Sequence, residues 1–302
     1  MSRSFLLSVS QQRSQQSIEL RQGKALVAAK AWVSLYPNSV IISNLDGCII
    51  HTSKLTGQIT VGFLFTTFTI LANYHLPIIW ALYATPKEYS LYQLYYYPLN
   101  ASMAPHFILE ELKVDFELIT VDRKSNAQKS SDYLALNPAG RIPTLIDNDL
   151  TIFESPAICV HLAENNPSSN LIPKIGDKNR SIAFQWLMYL TNTVQAELMV
   201  YFYPQKHTKD DKNIKSIVQA QELIITEAFE LLDRELEGKD YLVGQSITVC
   251  DYFLFMLAVW ADELQHPPLS FANLSRYLRG LAQREAVINV CKKENLSLRD
   301  YQ

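Results

Sequence analysis

Residues 136–145 read Leu136-Asn137-Pro138-Ala139-Gly140-Arg141-Ile142-Pro143-Thr144-Leu145, and Phe153-Glu154-Ser155-Pro156-Ala157-Ile158 follows soon after. The Asn-Pro-Ala-Gly run ends a short helix expected over 131–136, and Pro143 opens a strand to whose ladder it cannot donate. Strands at 143–146 and 151–153 form a hairpin around Asp147-Asn148-Asp149, and Ser155 caps a helix to about Asn165. Upstream, 91–97 is an aromatic-rich strand stopped by Pro98. Ser102 with Pro105 opens a helix to Leu112, and 116–121 alternates apolar and polar residues as a second strand. The order over residues 90–166 is βαβαββα, an α/β unit whose strand ends and helix starts share one edge.

Outward from this unit the character changes twice. Asn166-Pro167-Ser168-Ser169-Asn170 is a linker, and beyond it the pattern over 167–302 is wholly helical. Trp186, Leu187, Leu190, Val194 and Leu198 recur at helical spacing, as do Ile214, Ile217, Val218, Ile224, Ile225, Ala228, Leu231 and Leu232. Thr248-Val249-Cys250-Asp251 is a capping signal before the apolar run 252–260. Residues 1–89 form a separate extension, expected to be poorly packed or an apolar segment. Within it, 55–86 contains no Asp, Glu, Lys or Arg, so a membrane-spanning helix is one reading of that stretch and the only route to membrane association. Asn73, His75 and Pro77 interrupt it, and the single lysines at either end (Lys54, Lys87) assign no orientation.

The chain has 302 residues, 48% hydrophobic and 19% charged, enough for more than one core. Residues 1–89 carry 7 basic and 3 acidic side chains, whereas residues 90–302 carry 20 and 27. The larger part would repel a phosphate backbone, which excludes nucleic acid as its expected partner. The 4 cysteines lie far apart with no CxxC pair, so no metal site and no disulfide framework is expected and a reducing, cytoplasmic setting fits.

Chemistry is expected at the shared edge of the α/β unit. Ser102 at a helix start can offer a hydroxyl to an anion where the helix dipole and free amides add positive potential. A cis Ile142–Pro143 bond would leave the amide and carbonyl of Ile142 open to a ligand backbone. Glu154 suits an ammonium, and Ser155 with the amides behind it suits a carboxylate, which together fit an α-amino acid head group. The plainer reading of Ser102 and Ser155 is a helix cap.

These pieces, in this order, resemble the glutathione S-transferase family, and its bacterial beta class most closely. The resemblance spans about 90–295 and rests on Tyr95-Tyr96-Tyr97-Pro98 with Ser102-Met103-Ala104-Pro105-His106. It rests also on the two stretches quoted above and on Ser246-Ile247-Thr248-Val249-Cys250-Asp251. It implies a thioredoxin-like α/β domain over 90–166 and an all-α C-terminal domain over 167–302, preceded by a non-homologous extension. The implied activity is a detoxifying conjugation of glutathione, the co-substrate, to a hydrophobic electrophile, in a homodimer. Ile142 before cis Pro143 would bond the cysteinyl backbone of glutathione, Glu154 and Ser155 would hold its γ-glutamyl end, and Asn137 would flank its glycyl end.

Ser102 is expected to activate the thiol, because only a thiolate is competent and a hydroxyl at a helix N-terminus lowers a thiol pKa. Its loss would then cost about 10² to 10³ in rate. Tyr95, Tyr96 and Tyr97 are competitors, although strand alternation sends Tyr96 to the face opposite the other two. Two residues depart from the class: Ala101 stands where a cysteine is usual, and Gln195 where a histidine is usual. Neither can serve redox or proton-shuttle chemistry, and they motivate an alternative, a catalytically weak binding or partner-docking protein on the same fold. His106 and His161 are read as packed or half-exposed helix residues.

Overall fold

The computed structural model describes residues 91–302 throughout and, upstream of these, the backbone of six strands. The chain divides into two units, residues 1–88 and 89–302. In the first, β1 (Ser14–Gln22), β2 (Ala25–Tyr36), β3 (Ser39–Asn44), β4 (Ile49–Ser53), β5 (Gln58–Phe63) and β6 (Thr66–Leu71) pair in sequence order, each antiparallel to the next. Part of the uncharged stretch 55–86 is thus strand. The remainder, and the packing expected of 1–89, lie outside the described residues. Among the described residues no helix is long and apolar enough to cross a membrane.

The second unit begins with the α/β region, and its elements follow the order expected. They are β7 (Tyr92–Tyr96), α1 (Met103–Leu112), β8 (Phe116–Thr120), α2 (Ser131–Leu136), β9 (Thr144–Asp147), β10 (Leu150–Phe153) and α3 (Ser155–Asn165). The sheet order is β10-β9-β7-β8, with β7 parallel to β8 and antiparallel to β9. A parallel pair needs a crossover, which α1 supplies. Strand alternation buries Tyr92 and Leu94 in the core. Met103–Leu109 of α1 are all buried, because this helix packs on the sheet with one face and on the helical region with the other.

The helical region continues with α4 (Lys178–Tyr189), α5 (Ala196–Phe202), α6 (Ile214–Glu235), α7 (Val249–Trp260), α8 (Ala272–Ala282) and α9 (Glu285–Lys293). Between α4 and α5 the chain winds through a π-helical segment, Leu190–Gln195. The apolar stripe Trp186, Leu187, Leu190, Val194 and Leu198 runs through this segment. Every residue from Val249 to Ala258 of α7 is buried, so this helix is the centre of the region. Its start is the expected capping box between Thr248 and Asp251. The fully buried Asp251 carboxylate accepts from the amides of Leu242 (2.8 Å) and Thr248 (2.6 Å), from the Thr248 hydroxyl (2.9 Å) and from the Tyr277 phenol (2.6 Å).

Candidate active site

Three junctions of the α/β region meet at one end of its sheet: the loop from β7 to α1, the turn before β9, and the step from β10 to α3. The pairing of Tyr95 with Thr144 brings the first two together. The Ser155 hydroxyl, which donates to the Ala101 carbonyl, joins the third.

The turn before β9 is fixed from inside. The Ile142–Pro143 bond is cis, and the Arg141 carbonyl accepts from the Tyr133 phenol (2.7 Å) and from Asn137 Nδ2 (2.8 Å). The Tyr133 phenol also lies 2.9 Å from the Thr144 hydroxyl, and its burial pushes its pKa up. Asn137 Oδ1 accepts the Ala139 amide at 3.0 Å. Asn137 is itself buried, and both ends of its amide brace the turn. Ile142 is half-buried, and among the described residues neither its amide nor its carbonyl takes an intrachain partner.

At the step into α3, Glu154 is exposed with φ at 72°, a conformation unfavourable for a residue with a Cβ and of a kind that clusters at ligand sites. Its carboxylate has no hydrogen-bond or ion-pair partner among the described residues. The Ser155 hydroxyl does not point to solvent: the residue is buried and its proton goes to Ala101. The expectation that this hydroxyl greets a carboxylate is corrected, leaving the amides at the N-terminus of α3 as the donors there.

Ser102 requires the largest correction. It is fully buried, and its hydroxyl donates to the Tyr97 carbonyl (3.1 Å) while accepting the Tyr97 amide (3.3 Å). Past the end of β7 those two backbone groups have no ladder partners; the hydroxyl meets both, and the carbonyl also accepts the Asn100 amide (3.3 Å). Ser102 therefore closes the loop from inside. What remains open at the start of α1 is backbone: among the described residues the amide of the half-buried Ala101 takes no partner. Tyr95 and Tyr96, neighbours on β7, lean on different partners. Tyr95 leans on Tyr133 with centroids 5.9 Å apart, and Tyr96 on His106 at 6.1 Å.

The loop from β7 to α1 is held from two further sides that the sequence did not signal. The Leu99 amide, at φ 57°, donates to Glu294 Oε2 at 2.8 Å, and the same carboxylate meets His106 Nδ1 at 2.7 Å, with His106 and Glu294 both buried. Arg123 lies on the other side. Its Nη1 donates to Asn100 Oδ1 (2.8 Å) and its Nη2 to the Tyr203 phenol (2.9 Å), bridging the loop to the end of α5. His161 is paired with Asp147 at 2.8 Å, away from these groups.

The described thiols do not compete for this chemistry. Cys159, Cys250 and Cys291 are free and buried, and burial pushes Cys250 and Cys291 up to about 12 and Cys159 higher still. None of these three described cysteines supplies a reactive sulfur to the site.

Residues 90–164 match the glutathione S-transferase N-terminal domain and residues 192–285 the C-terminal domain of the same family. The chain is 28% identical over 206 residues to glutathione S-transferase GstA of Escherichia coli O157:H7, covering 68% of this chain and 99% of that protein. A sphingomonad glutathione S-transferase complexed with glutathione is 30% identical, with a TM-score of 0.60 over 68% of this chain and 100% of its own. The bacterial beta class enzyme of Sphingomonas chungbukensis is 28% identical with the same TM-score and coverage.

Proposed function

Because this chain belongs to the glutathione S-transferase family and is thereby an enzyme that takes glutathione as co-substrate, we propose that it joins the tripeptide's sulfur to a hydrophobic electrophile, as a cytoplasmic homodimer with a detoxifying role. The observation that carries this reading is the set of unengaged groups at one sheet end: the amide of Ala101, the backbone of Ile142, and the Glu154 carboxylate. The fit to glutathione is direct. Glu154 takes the ammonium of the γ-glutamyl end and the first amides of α3 take its carboxylate. Ile142 pairs with the cysteinyl backbone, beside which Pro143 sets the turn. The sulfur then lies at the start of α1.

Here the ten-residue helix α1 presents its positive end, and with the free amide of Ala101 it favours the thiolate over the thiol. The thiol proton leaves to solvent. The sulfur attacks the electrophilic carbon, a carbon–sulfur bond forms, and the leaving group departs with its electron pair. Holding both reactants together supplies much of the acceleration. Ala101 and Gln195 are no obstacle, since this route needs neither a cysteine nor a proton shuttle. The family match favours an enzyme over the docking-protein alternative.

The test is conjugation of a neutral aryl halide by the full chain and by Ser102→Ala. Wild-type turnover is expected. The variant should lose less than about 10-fold, because the hydroxyl it removes closes the loop rather than touching sulfur, a neutral hydrogen bond worth about 1 kcal/mol. Absence of turnover in the wild type would sink the proposal, and a loss of about 10² or more would return Ser102 to the thiol.

A further inference from the structure

Arg123 has a role that the conjugation reading does not use. Its guanidinium spans from Asn100, on the loop that leads into α1, to Tyr203, at the end of α5. Both partners are neutral acceptors. Asp122, the adjacent carboxylate, is turned onto its own loop, where it accepts the Lys124 amide at 2.9 Å. Among the described residues no carboxylate pairs with Arg123, and none pairs with Lys206, whose Nζ stands 4.3 Å from the Tyr203 ring centroid. Two uncompensated cations thus converge on one tyrosine, in a region where acidic side chains outnumber basic ones 27 to 20.

A guanidinium has five N–H donors in a planar fork. Asn100 and Tyr203 hold this fork across the gap between the loop from β7 to α1 and the helical region without neutralising it. The remaining donors suit an oxyanion, which guanidinium binds with charge-assisted and often bidentate hydrogen bonds. An electrophile that reaches sulfur at the start of α1 comes up beside Asn100 and therefore beside this charge. We propose that Arg123 is a specificity-determining residue that selects electrophiles carrying an acidic group, a carboxylate or sulfonate on an otherwise apolar body. The inference rests on the conjugation reading above and narrows its substrate class.

The probes are para-chloro-meta-nitrobenzoate and its methyl ester, which differ by one charge. In each, the thiolate forms a carbon–sulfur bond at the carbon bearing chlorine, and chloride leaves with the bonding electrons. The ratio of kcat/KM for acid over ester is measured in the full chain and in Arg123→Gln. The variant's ratio is expected to fall about 5-fold, the scale of a solvent-exposed charge contact. Arg123→Lys should restore part of it, and added salt should erode the wild-type ratio. An unchanged ratio in Arg123→Gln, with both compounds turned over, would overturn the inference and leave the conjugation reading intact. A rise in the KM for glutathione with no change in the ratio would put the tripeptide's own carboxylate on the guanidinium and would overturn it too. Turnover of neither compound by the wild type would remove the conjugation reading and this inference together.

Discussion

Asp251→Ala is expected to lower the unfolding free energy by about 4 kcal/mol or more, seen as a fall in the urea midpoint with little change in slope. The carboxylate satisfies four donors: the Leu242 and Thr248 amides, the Thr248 hydroxyl and the Tyr277 phenol. Asp251, Thr248 and Tyr277 are all buried, so water does not replace the lost acceptor, and each stranded donor costs about 1–3 kcal/mol. The capping box that starts α7 is lost in the same step, at about 1 kcal/mol. Because α7 is the buried centre of the helical region, the damage is global. Asp251→Asn keeps the shape but presents Nδ2 where only donors stand, so it too should destabilise, by less. A loss under about 1 kcal/mol for the alanine variant would show that the network contributes little beyond ordinary capping.

Glu154→Gln should raise the KM for glutathione about 10-fold while leaving the thermal midpoint where it is. The carboxylate is exposed and without an intrachain partner, so removing its charge releases nothing within the protein. A bound ammonium, by contrast, loses a charge-assisted hydrogen bond, which is about twice as strong as a neutral one. The effect should appear in KM more than in kcat, because this contact is remote from sulfur and is made equally in ground and transition states. An unchanged KM would remove Glu154 from the ligand. A drop in thermal midpoint would mean that its role is structural.

The two variants also mark where sequence was sufficient and where it was not. Thr248-Val249-Cys250-Asp251 announces the capping box because the geometry is local: four residues decide which donor meets which acceptor. The same holds for the βαβαββα order, where Pro98, the Asn137-Pro138-Ala139-Gly140 turn and the hairpin at Asp147–Asp149 punctuate the chain. The cis Ile142–Pro143 bond was expected only in the light of the family pattern. The π-helical segment at Leu190–Gln195 was not legible, since an apolar stripe at helical spacing hardly distinguishes one register of backbone bonding from the next.

Side-chain direction was the larger gap. Ser102 and Ser155 have the residue type and position that anion binding requires, yet each hydroxyl serves the backbone of the loop from β7 to α1, one at Tyr97 and the other at Ala101. The sequence shows that a hydroxyl is available at a helix start, and only the fold shows that backbone carbonyls already stand beside it to take its proton. Asn137 is a case of the same kind, a turn residue whose amide bonds its own turn. Glu294 and Arg123 left no trace in the sequence. Glu294 meets the Leu99 amide across 195 positions of chain, and Arg123 meets Tyr203 across 80, each by a single contact with no periodic pattern to announce it.

With hydroxyls turned inward, the sulfur anion is held by the Ala101 amide and the positive end of α1. The direct measurement is the thiol pKa of glutathione bound to the full chain, followed by the ultraviolet absorbance of the thiolate as pH is raised. A free cysteine thiol titrates near 8.5, and the bound thiol is expected at least about one unit lower, in Ser102→Ala as in the wild type. A bound thiol that titrates where the free one does would contradict the account.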